Sequence, residues 1–284
     1  MSSDFLADMA AGSRERLRAA RAALPEAQLL EQALATPIPP RLRLAPQGFD
    51  IIAEVKLRSP AMGALRDGRD DVGARVAGYA AAGAAAISVL TEPQRFDGSM
   101  LHLDLAVRAL GTTAPAMRKD FLVDPYQVIE ARRAGAGGVL AILRMLPYEG
   151  TVALVEMATR LGLFVLLEAF DEPDVALAMR LLASHQAAAA RAAAPLLVGV
   201  NCRDLVSLQV VSGRLESMVR LLPRSVPRVA ESGLETTADA ARLAAAGYSM
   251  ALIGGAFMRS SQPTVLLADM LAAGRSAAGR GVAA

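Results

Sequence analysis

The chain has 284 residues, which allows one large domain or two small ones, and 54% of them are apolar, many of these alanine. Its longest charge-free stretches, 76–91 and 243–258, are shorter than a membrane-spanning helix, which needs about 20 apolar residues, so the sequence excludes such a helix. The 30 basic and 28 acidic residues are interspersed and give a net charge of +2, which excludes the basic stripe of a nucleic-acid-binding protein and favours a small-molecule partner.

Residues 1–48 predict an N-terminal helical extension rather than a domain. Helical patterns cover 13–24 and 26–35. A proline-rich turn follows, at Pro37, Pro39, Pro40 and Pro46. The segment has too few apolar residues for its own core, so we expect it to pack on the next domain or cover one mouth of it. No apolar run leads to a small-residue cleavage site, so we expect a cytoplasmic protein.

Eight short apolar runs, rich in β-branched residues, predict eight strands. They cover 51–55, 86–90, 115–117, 138–143, 163–167, 196–200, 226–230 and 250–253. Helical patterns lie between them, at 72–82, 126–134, 152–161, 173–182 and 237–246. Continuously apolar strands that alternate with helices are typical of a parallel sheet buried on both faces.

Eight strand–helix units predict an α/β protein, a closed (β/α)8 TIM barrel over 49–274 that carries the N-terminal helical extension over 1–48. Residues 275–284 are mainly Gly, Ala and Arg, so we expect a flexible tail. An open doubly wound sheet is the alternative. The G-x-G-x-x-G motif that dinucleotide-binding sheets of that kind carry after the first strand is absent from the sequence.

Only two of the 30 basic residues are lysines, Lys56 and Lys119. Compositional bias explains why arginine is so frequent, but it does not explain these two exceptions. A lysine ammonium can shift its pKa and transfer a proton, whereas arginine stays protonated at any accessible pH. Survival of two lysines by chance is the alternative, and their positions at predicted strand ends favour a role in proton transfer.

Polar residues at the carboxyl ends of the strands are candidates for the active site, because TIM barrels carry their chemistry there. These candidates are Glu54, Lys56, Lys119, Glu168, Asn201, Arg203, Glu231 and Ser232. Gly233, Gly254 and Gly255 would expose backbone N–H groups where such barrels bind phosphate. Structural alternatives remain: an interior ion pair for Glu54 and Lys56, a residue accompanying a helix N-terminus for Glu168, and a tight turn at residues 254–255.

Four other residues with reactive side chains are not assigned to the site. His102 and His185 lie away from strand ends, so no metal site is expected. Cys202 is the single cysteine, which excludes internal disulfides and multi-cysteine metal sites, and its side chain should point away from the barrel interior. We interpret Asp204 as structural.

Five motifs occur in order between residues 49 and 263. They are Glu54-Val55-Lys56 with Ser59-Pro60, Ser88-Val89-Leu90-Thr91 with Phe96-Asp97-Gly98-Ser99, Arg118-Lys119-Asp120-Phe121, Asn201-Cys202-Arg203-Asp204-Leu205 and Glu231-Ser232-Gly233. Together they resemble the indole-3-glycerol phosphate synthase family of tryptophan biosynthesis. The resemblance implies a (β/α)8 barrel with an N-terminal helical extension, and a carboxy-lyase that needs neither a cofactor nor a metal.

The implied reaction closes the indole ring of 1-(2-carboxyphenylamino)-1-deoxyribulose 5-phosphate and releases carbon dioxide and water. By the resemblance, Lys119 is a general acid near the sugar carbonyl, and Lys56 contacts the substrate carboxylate or assists dehydration. Glu54 and Glu168 would serve as a base and as stabilisers of the cationic intermediate. We expect the carboxylate beside Lys56 to stay ionised and the other, Glu168, to hold a proton in more apolar surroundings.

The resemblance also implies the substrate contacts. Asn201, counted with the catalytic residues, and Glu231 would orient substrate hydroxyls, while Arg203 would hold the substrate. The three glycines would bind the phosphate, as argued above. The remaining contacts are Ser59, Pro60, Phe96, Phe121, Leu205, Ser232 and Leu252, whose apolar members would enclose the aromatic ring.

Some positions depart from the family pattern. Ala61 and Met62 stand where Ser and Lys are usual, Cys202 where a second Asn is common, and Gly255-Ala256 where a polar residue is frequent. These departures concern the first loop and the phosphate rim, and therefore substrate affinity more than chemistry.

Two other functions stay open at this point. A phosphoribosylanthranilate isomerase-like enzyme would need an early Cys and an Asp across the barrel, where the first strand offers Glu54 and Lys56. A non-catalytic or altered-specificity phosphate-binding barrel is the second, although drift in an arginine-rich chain would replace lysines first. We expect a phosphorylated small molecule as the substrate, no nucleic-acid or membrane partner, and a monomer or weak homodimer.

Overall fold

The computed structural model describes residues 5–56, 58–59, 63–64, 71–204, 207 and 209–281. Of the residues assigned from the sequence, Pro60 and Leu205 lie outside the described residues, as does the side chain of Ser59. The departures at Ala61 and Met62 lie outside them as well. All other assigned site residues are described.

Eight parallel strands form a closed barrel, which confirms the predicted (β/α)8 fold. In chain order they are β1 Asp50–Val55, β2 Ala86–Leu90, β3 Ala116–Lys119, β4 Gly138–Ile142, β5 Phe164–Ala169, β6 Leu196–Asn201, β7 Arg228–Glu231 and β8 Met250–Ile253. Each strand pairs with its neighbours in sequence, and β1 pairs with both β2 and β8 to close the barrel.

Twelve α-helices lie in the described part of the chain. They are α1 Phe5–Ala23, α2 Glu26–Ala35, α3 Val72–Ala81, α4 Pro93–Phe96, α5 Met100–Leu110, α6 Pro125–Arg133, α7 Tyr148–Arg160, α8 Glu172–Arg191, α9 Arg214–Met218, α10 Thr237–Ala246, α11 Gly255–Arg259 and α12 Pro263–Gly281. Two 3-10 helices, Leu143–Met145 and Val219–Leu221, and a short antiparallel pair, Arg58–Ser59 with Gly63–Ala64, complete the described elements. None of these helices has the length and apolar character to cross a membrane.

Helix boundaries follow local chemistry. The side chains of Asp124 and Asp171 accept hydrogen bonds from the first turns of α6 and α8, and Thr236 with Asp239 forms a capping box at α10. Helix α8 continues well beyond the predicted residue 182, because its second half is an alanine-rich run with high helix propensity.

Strand residues alternate between two apolar layers. One layer lies inside the barrel and includes Ile52, Leu140, Leu166, Leu197 and Met250, while the residues between them in sequence pack against the helices. Because the same alternation continues to the strand ends, the side chains two positions after several interior residues also face inward. The barrel interior therefore leads directly into a polar layer at its carboxyl end.

One interior position accepts only glycine. A β-carbon at Gly138 would overlap the ring of Phe164, which fills the barrel interior beside it and is fully buried. The small residue on β4 thus makes room for the aromatic side chain on β5.

The N-terminal extension packs against the barrel. The hydroxyl group of Tyr126 on α6 donates to the carbonyl oxygens of Ala20 and Leu24 at 3.0 and 2.8 Å, and Arg21 pairs with Asp124 at 2.8 Å. Helix α1 begins at Phe5, earlier than the predicted start at residue 13. Its first turn reaches the carboxyl end of the barrel.

The C-terminal segment differs from the expected flexible tail. Helix α12 continues from Pro263 to Gly281 and packs on α10. Arg275 donates to the carbonyl oxygen of Phe49 at 3.0 Å and pairs with Asp50 at 2.9 Å. These contacts, which composition alone does not reveal, hold the segment in the helix.

Candidate active site

A cleft of about 1110 Å³, measured with its open mouth, lies at the carboxyl ends of the strands. The residues assigned from the sequence that line it are Glu54, Lys56, Phe96, Lys119, Phe121, Glu168, Asn201, Arg203, Glu231, Ser232, Gly233, Leu252, Gly254 and Gly255. All the assigned residues that the structure describes with their side chains therefore meet in one place.

Glu54 lies between the two lysines. Its Oε1 is 2.6 Å from Nζ of Lys56, and its Oε2 is 4.0 Å from Nζ of Lys119. A β-carbon at Gly254 would lie 2.5 Å from Oε1, so the absence of a side chain there leaves room for the carboxylate. The Glu54 side chain is 4% exposed, whereas each lysine side chain is 18% exposed, so the ammonium groups are open to the cleft.

The pKa values of these groups follow from their mutual positions. Burial alone would raise the pKa of Glu54, but the charges of Lys56, Lys119 and Arg203 outweigh burial and hold the pKa below its ordinary value. Burial would lower the pKa of Lys119, but the carboxylates of Glu168, Glu54 and Glu231 outweigh it and raise that pKa. At neutral pH the cleft thus contains an ionised carboxylate and a protonated ammonium group.

Asn201 is held in one orientation by its neighbours. Its Nδ2 donates to Oε1 of Glu168 at 2.9 Å, and its Oδ1 accepts a hydrogen bond from the backbone N–H of Arg203 at 2.9 Å. These two bonds define which end of the amide faces Glu168. The side chain of Arg214 supports the same strand end by donating to the carbonyl oxygen of Asn201 at 3.3 Å.

Glu231 is a buried acid of the cleft, as are Glu54 and Glu168. It is 1% exposed, and neither of its carboxyl oxygens accepts a hydrogen bond from any residue that the structure describes. Burial, followed by repulsion from Glu168, raises the pKa of Glu231 well above its ordinary value, although Lys119 opposes the rise. A proton on Glu231 converts its repulsion with Glu168 into a hydrogen bond. Glu231, assigned from the sequence only to orienting substrate hydroxyls, is therefore a carboxyl that can hold a proton.

Gly199 explains how this carboxyl fits. It lies on β6 between β5, which carries Glu168, and β7, which carries Glu231. A β-carbon at Gly199 would overlap Oε1 of Glu231. The missing side chain thus creates the space in which the Glu231 carboxyl lies beside the strand that separates it from Glu168.

An aromatic wall forms another side of the cleft. The ring centroids of Phe96 and Phe121 are 6.0 Å apart, and the ring of Phe5 meets that of Phe121 edge-on at 5.9 Å. Phe5 belongs to α1, and the sequence analysis did not assign it to the site. No strand-end pattern marks this residue, because it reaches the cleft from the N-terminal extension.

Tight backbone turns form another part of the cleft. Ser232 and Gly233 have φ values of 69° and 72°, in the left-handed region that favours glycine. The thiol of Cys202 donates to the carbonyl oxygen of Ser232 at 3.2 Å and braces this turn. Gly254 and Gly255 begin the short helix α11 on the neighbouring strand end.

The two histidines, the cysteine and Asp204, which were not assigned to the site, have the following surroundings. Burial raises the pKa of the Cys202 thiol to about 11, so it is not an anionic nucleophile at neutral pH. His102 lies on α5 and His185 on α8, where its Nε2 is 3.4 Å from Glu156. The carboxylate of Asp204 accepts hydrogen bonds from the backbone N–H and hydroxyl of Ser207.

The cleft also includes residues that the sequence analysis missed. These are Phe5, Leu90, Asp120, Leu140, Ile142, Leu234, Glu235, Ile253 and Arg259. Several follow directly from a strand end already identified, such as Asp120 after Lys119, and a wider window around each strand end would have found them. Arg259 pairs with Glu235 across the rim of the cleft.

Comparison with known proteins identifies a family. The family model described as indole-3-glycerol phosphate synthase matches residues 6–270. The chain is 39% identical over 280 residues to indole-3-glycerol phosphate synthase of Beutenbergia cavernae, covering 98% of each chain. It is 40% identical over 230 residues to the enzyme of the same name from Parafrankia sp., covering 81% of this chain and 80% of that one.

Solved structures show the same fold at low sequence identity. The chain is similar to 3-hexulose-6-phosphate synthase from Salmonella typhimurium, with a TM-score of 0.60, 11% identity and coverage of 80% of this chain and 99% of that one. It is similar to thiamine phosphate pyrophosphorylase from Pyrococcus furiosus, with a TM-score of 0.57, 13% identity and coverage of 81% and 98%. At this identity the likeness concerns the fold alone.

Proposed function

Because the chain belongs to the indole-3-glycerol phosphate synthase family, we propose that it converts 1-(2-carboxyphenylamino)-1-deoxyribulose 5-phosphate into indole-3-glycerol phosphate, carbon dioxide and water. The observation that carries the proposal is the placement of both lysines of the chain against one carboxylate, Glu54, at the carboxyl end of the barrel. This arrangement provides proton donors beside a fixed negative charge, which is what the reaction needs.

Lys119 donates the first proton. As the aromatic carbon attacks the sugar carbonyl, the carbonyl oxygen becomes a hydroxyl group and takes this proton. The raised pKa of Lys119 keeps its ammonium group protonated at neutral pH, ready to donate. Loss of carbon dioxide then restores the aromatic ring.

The pair of Glu231 and Glu168 serves the dehydration. The new hydroxyl group leaves as water and needs a second proton, while a proton is lost from the adjacent sugar carbon to form the ring double bond. The raised pKa of Glu231 supports its role as the donor of the second proton, and Glu168 is the base that takes the proton from the sugar carbon. The enzyme thus gives the substrate two protons and removes one. This net uptake of one proton balances the reaction, because the ionised substrate carboxylate leaves as neutral carbon dioxide.

Glu54 and Lys56 act mainly through charge. The ionised Glu54 stabilises positive charge that develops on the substrate during ring closure and dehydration. Lys56, 18% exposed at the mouth of the cleft, contacts the substrate carboxylate. These transfers need only side-chain acids and bases, so the proposed reaction uses neither a cofactor nor a metal.

Different parts of the cleft bind the aromatic ring and the phosphate of the substrate. The aromatic ring packs against Phe96, Phe121 and Leu252, with Phe5 as an additional contact. The phosphate binds the backbone N–H groups of Gly233, Gly254 and Gly255, beside Ser232. Asn201, Arg203, Ser59, Pro60 and Leu205 complete the substrate contacts that membership of the family implies.

We further propose that the enzyme acts in the cytoplasm as a monomer or weak homodimer. Sedimentation at micromolar concentration should give a mass near 29.6 kDa. A stable higher assembly would contradict this part of the proposal.

Turnover of the synthetic substrate tests the function. The purified chain should release carbon dioxide and form the fluorescent indole product, and its gene should restore growth of a tryptophan auxotroph. Arg108→Lys, an exposed charge-preserving change on α5, provides a control that should behave as the wild type. A folded wild-type protein that forms no indole product would exclude the proposal.

A further inference from the structure

Arg16 on α1 joins two buried carboxylates beside the cleft. Its Nη2 lies 2.7 Å from Oδ1 of Asp120, and its Nη1 lies 3.7 Å from Oε1 of Glu92. The side chains of both acids are 1% exposed. We propose that Arg16 is a positioning residue, which holds the strand end that carries Lys119 and the turn that carries Phe96 in their working arrangement.

Asp120 is the connection to Lys119. Its carboxylate accepts hydrogen bonds from the hydroxyl of Thr91 at 2.8 Å and from the backbone N–H of Phe121 at 2.8 Å. The backbone N–H of Thr91 donates to the carbonyl oxygen of Lys119 at 3.0 Å. Asp120 therefore fixes the backbone positions of its two neighbours, Lys119 and Phe121.

Glu92 is the connection to Phe96. Its carboxylate accepts hydrogen bonds from the backbone N–H groups of Gln94, Arg95 and Phe96, at 2.8, 2.7 and 3.2 Å, and so caps the short helix α4. Because α4 ends at Phe96, the orientation of this carboxylate sets the position of the aromatic ring in the cleft.

A guanidinium suits this position because its fork can face two carboxylates at once. Arg118 also pairs with Asp120, at 3.2 Å, but it is directed to Glu130 on α6 at 3.0 Å and leaves Glu92 without this charge. Removing Arg16 would leave two buried carboxylates close together with less compensation, and their repulsion would move the two segments. The catalytic lysine and the aromatic wall would then lose their relative placement.

Arg21 provides the matched control. It lies on the same helix and also ties α1 to the barrel, pairing with Asp124 at 2.8 Å and with Glu26 at 2.9 Å. Asp124 caps α6 and does not line the cleft. Arg16→Met and Arg21→Met thus both weaken the attachment of α1, but only the first disturbs Asp120 and Glu92.

Steady-state kinetics is the first test, and it rests on the proposed function. Arg16→Met should lower kcat/KM at least about tenfold, since a displacement of about 1 Å at a reacting group can cost about 100-fold. Arg21→Met should stay within about threefold of the wild type. Arg16→Lys, which keeps the charge but not the fork, should recover part of the loss. Equal losses in the two Met variants would overturn the proposal.

A spectroscopic test separates this inference from the proposed function. The full chain contains two lysines, so protein labelled with 13C-lysine gives a resolved side-chain signal for each. Arg16→Met should shift the signal of Lys119 more than that of Lys56, and Arg21→Met should shift neither. An unmoved Lys119 signal in folded Arg16→Met protein would overturn the positioning role, even if the wild type proved to have another substrate. If Arg16→Met does not fold, Arg16→Gln and Arg21→Gln, which add no lysine signal, are compared in its place, with the same criteria.

Discussion

The carboxyl group of Glu231 occupies the space that a side chain at Gly199 would fill. Both residues face the interior from adjacent strands, and the glycine leaves room for the acid within reach of the charges of Glu168 and Lys119. The absence of a side chain at Gly199 on β6 is therefore as important for the geometry of the site as the acids themselves.

Gly199→Ala should displace the Glu231 carboxyl and lower kcat at least about tenfold, because its proton would no longer be held at the reacting group. Overpacking should also lower the free energy of unfolding by about 1–3 kcal/mol. Gly279→Ala on α12 is the control and should leave kcat unchanged, because no described residue outside the adjoining helix backbone lies within 4 Å of the added β-carbon. Kinetics with a denaturant melt measures both effects; unchanged kcat in Gly199→Ala would contradict the role of this contact.

Lys119→Arg keeps the positive charge but should lower kcat at least about 100-fold, since general acid catalysis contributes about 100- to 10,000-fold and arginine does not release its proton. If the ion pair with Glu54 only closed the barrel, the loss would stay within about tenfold. Product fluorescence beside a thermal melt distinguishes these outcomes, with Arg108→Lys as the charge-preserving control. Near-wild-type turnover would remove Lys119 from the proton transfers.

The pH dependence of kcat should show a limb from Glu231. Its pKa is raised by burial and by Glu168, so the proton needed for dehydration is lost, and kcat falls, as the pH rises through that pKa. Glu54, whose pKa is lowered, stays ionised across the same range. Glu231→Gln should abolish the limb and most of the turnover. A wild-type profile that is flat from mild acid to alkali would contradict the acid–base scheme.

Replacing Glu231 should change stability in the opposite direction from turnover. Because the folded-state pKa of Glu231 lies above the unfolded value, its contribution is complete below the unfolded pKa and is lost as the pH rises through the folded pKa. Glu231→Gln removes this loss, so the variant should melt at a higher temperature than the wild type near pH 8. A gain of about 1 kcal/mol corresponds to about 2–4 °C in Tm. A lower Tm for Glu231→Gln at this pH would mean that the carboxyl is stabilising.

Phosphate binding should depend on the turn at Gly233. Inorganic phosphate is expected to inhibit competitively and to appear at the backbone N–H groups of Gly233, Gly254 and Gly255 in a crystal soak. Gly233→Ala, at φ 72° and with its β-carbon 3.0 Å from the sulfur of Cys202, should raise the inhibition constant about tenfold. Gly213→Ala, at φ 75° with open space around it, is the matched control for backbone strain. Equal effects in both variants would argue against the site.

The strand-end residues could be predicted because strand alternation is strict. Glu54 and Lys56 lie two positions apart, so both follow the interior register of Ile52, and the same rule applies to Glu168 after Leu166. The sequence motifs indicated the family, and the comparisons with known proteins confirmed it.

Other parts of the site depend on contacts between distant segments. Arg16 meets Asp120 across 104 positions, and no local pattern in the extension marks either Arg16 or Phe5. The raised pKa of Glu231 depends on the buried position that Gly199 leaves open between β5 and β7, a three-strand arrangement that a single motif does not encode.

The contacts of Arg275 with Phe49 and Asp50 span 226 and 225 positions of the chain. They lie where β1 begins, and β1 also needs β8 for one of its two edges. During synthesis, the first strand therefore keeps an unpaired edge until β8 has been made, since loop closure over such distances comes late. Ribosome-bound chains that stop before β8 should remain exposed to chaperones and proteases, and the barrel should close only as its final helix leaves the exit tunnel.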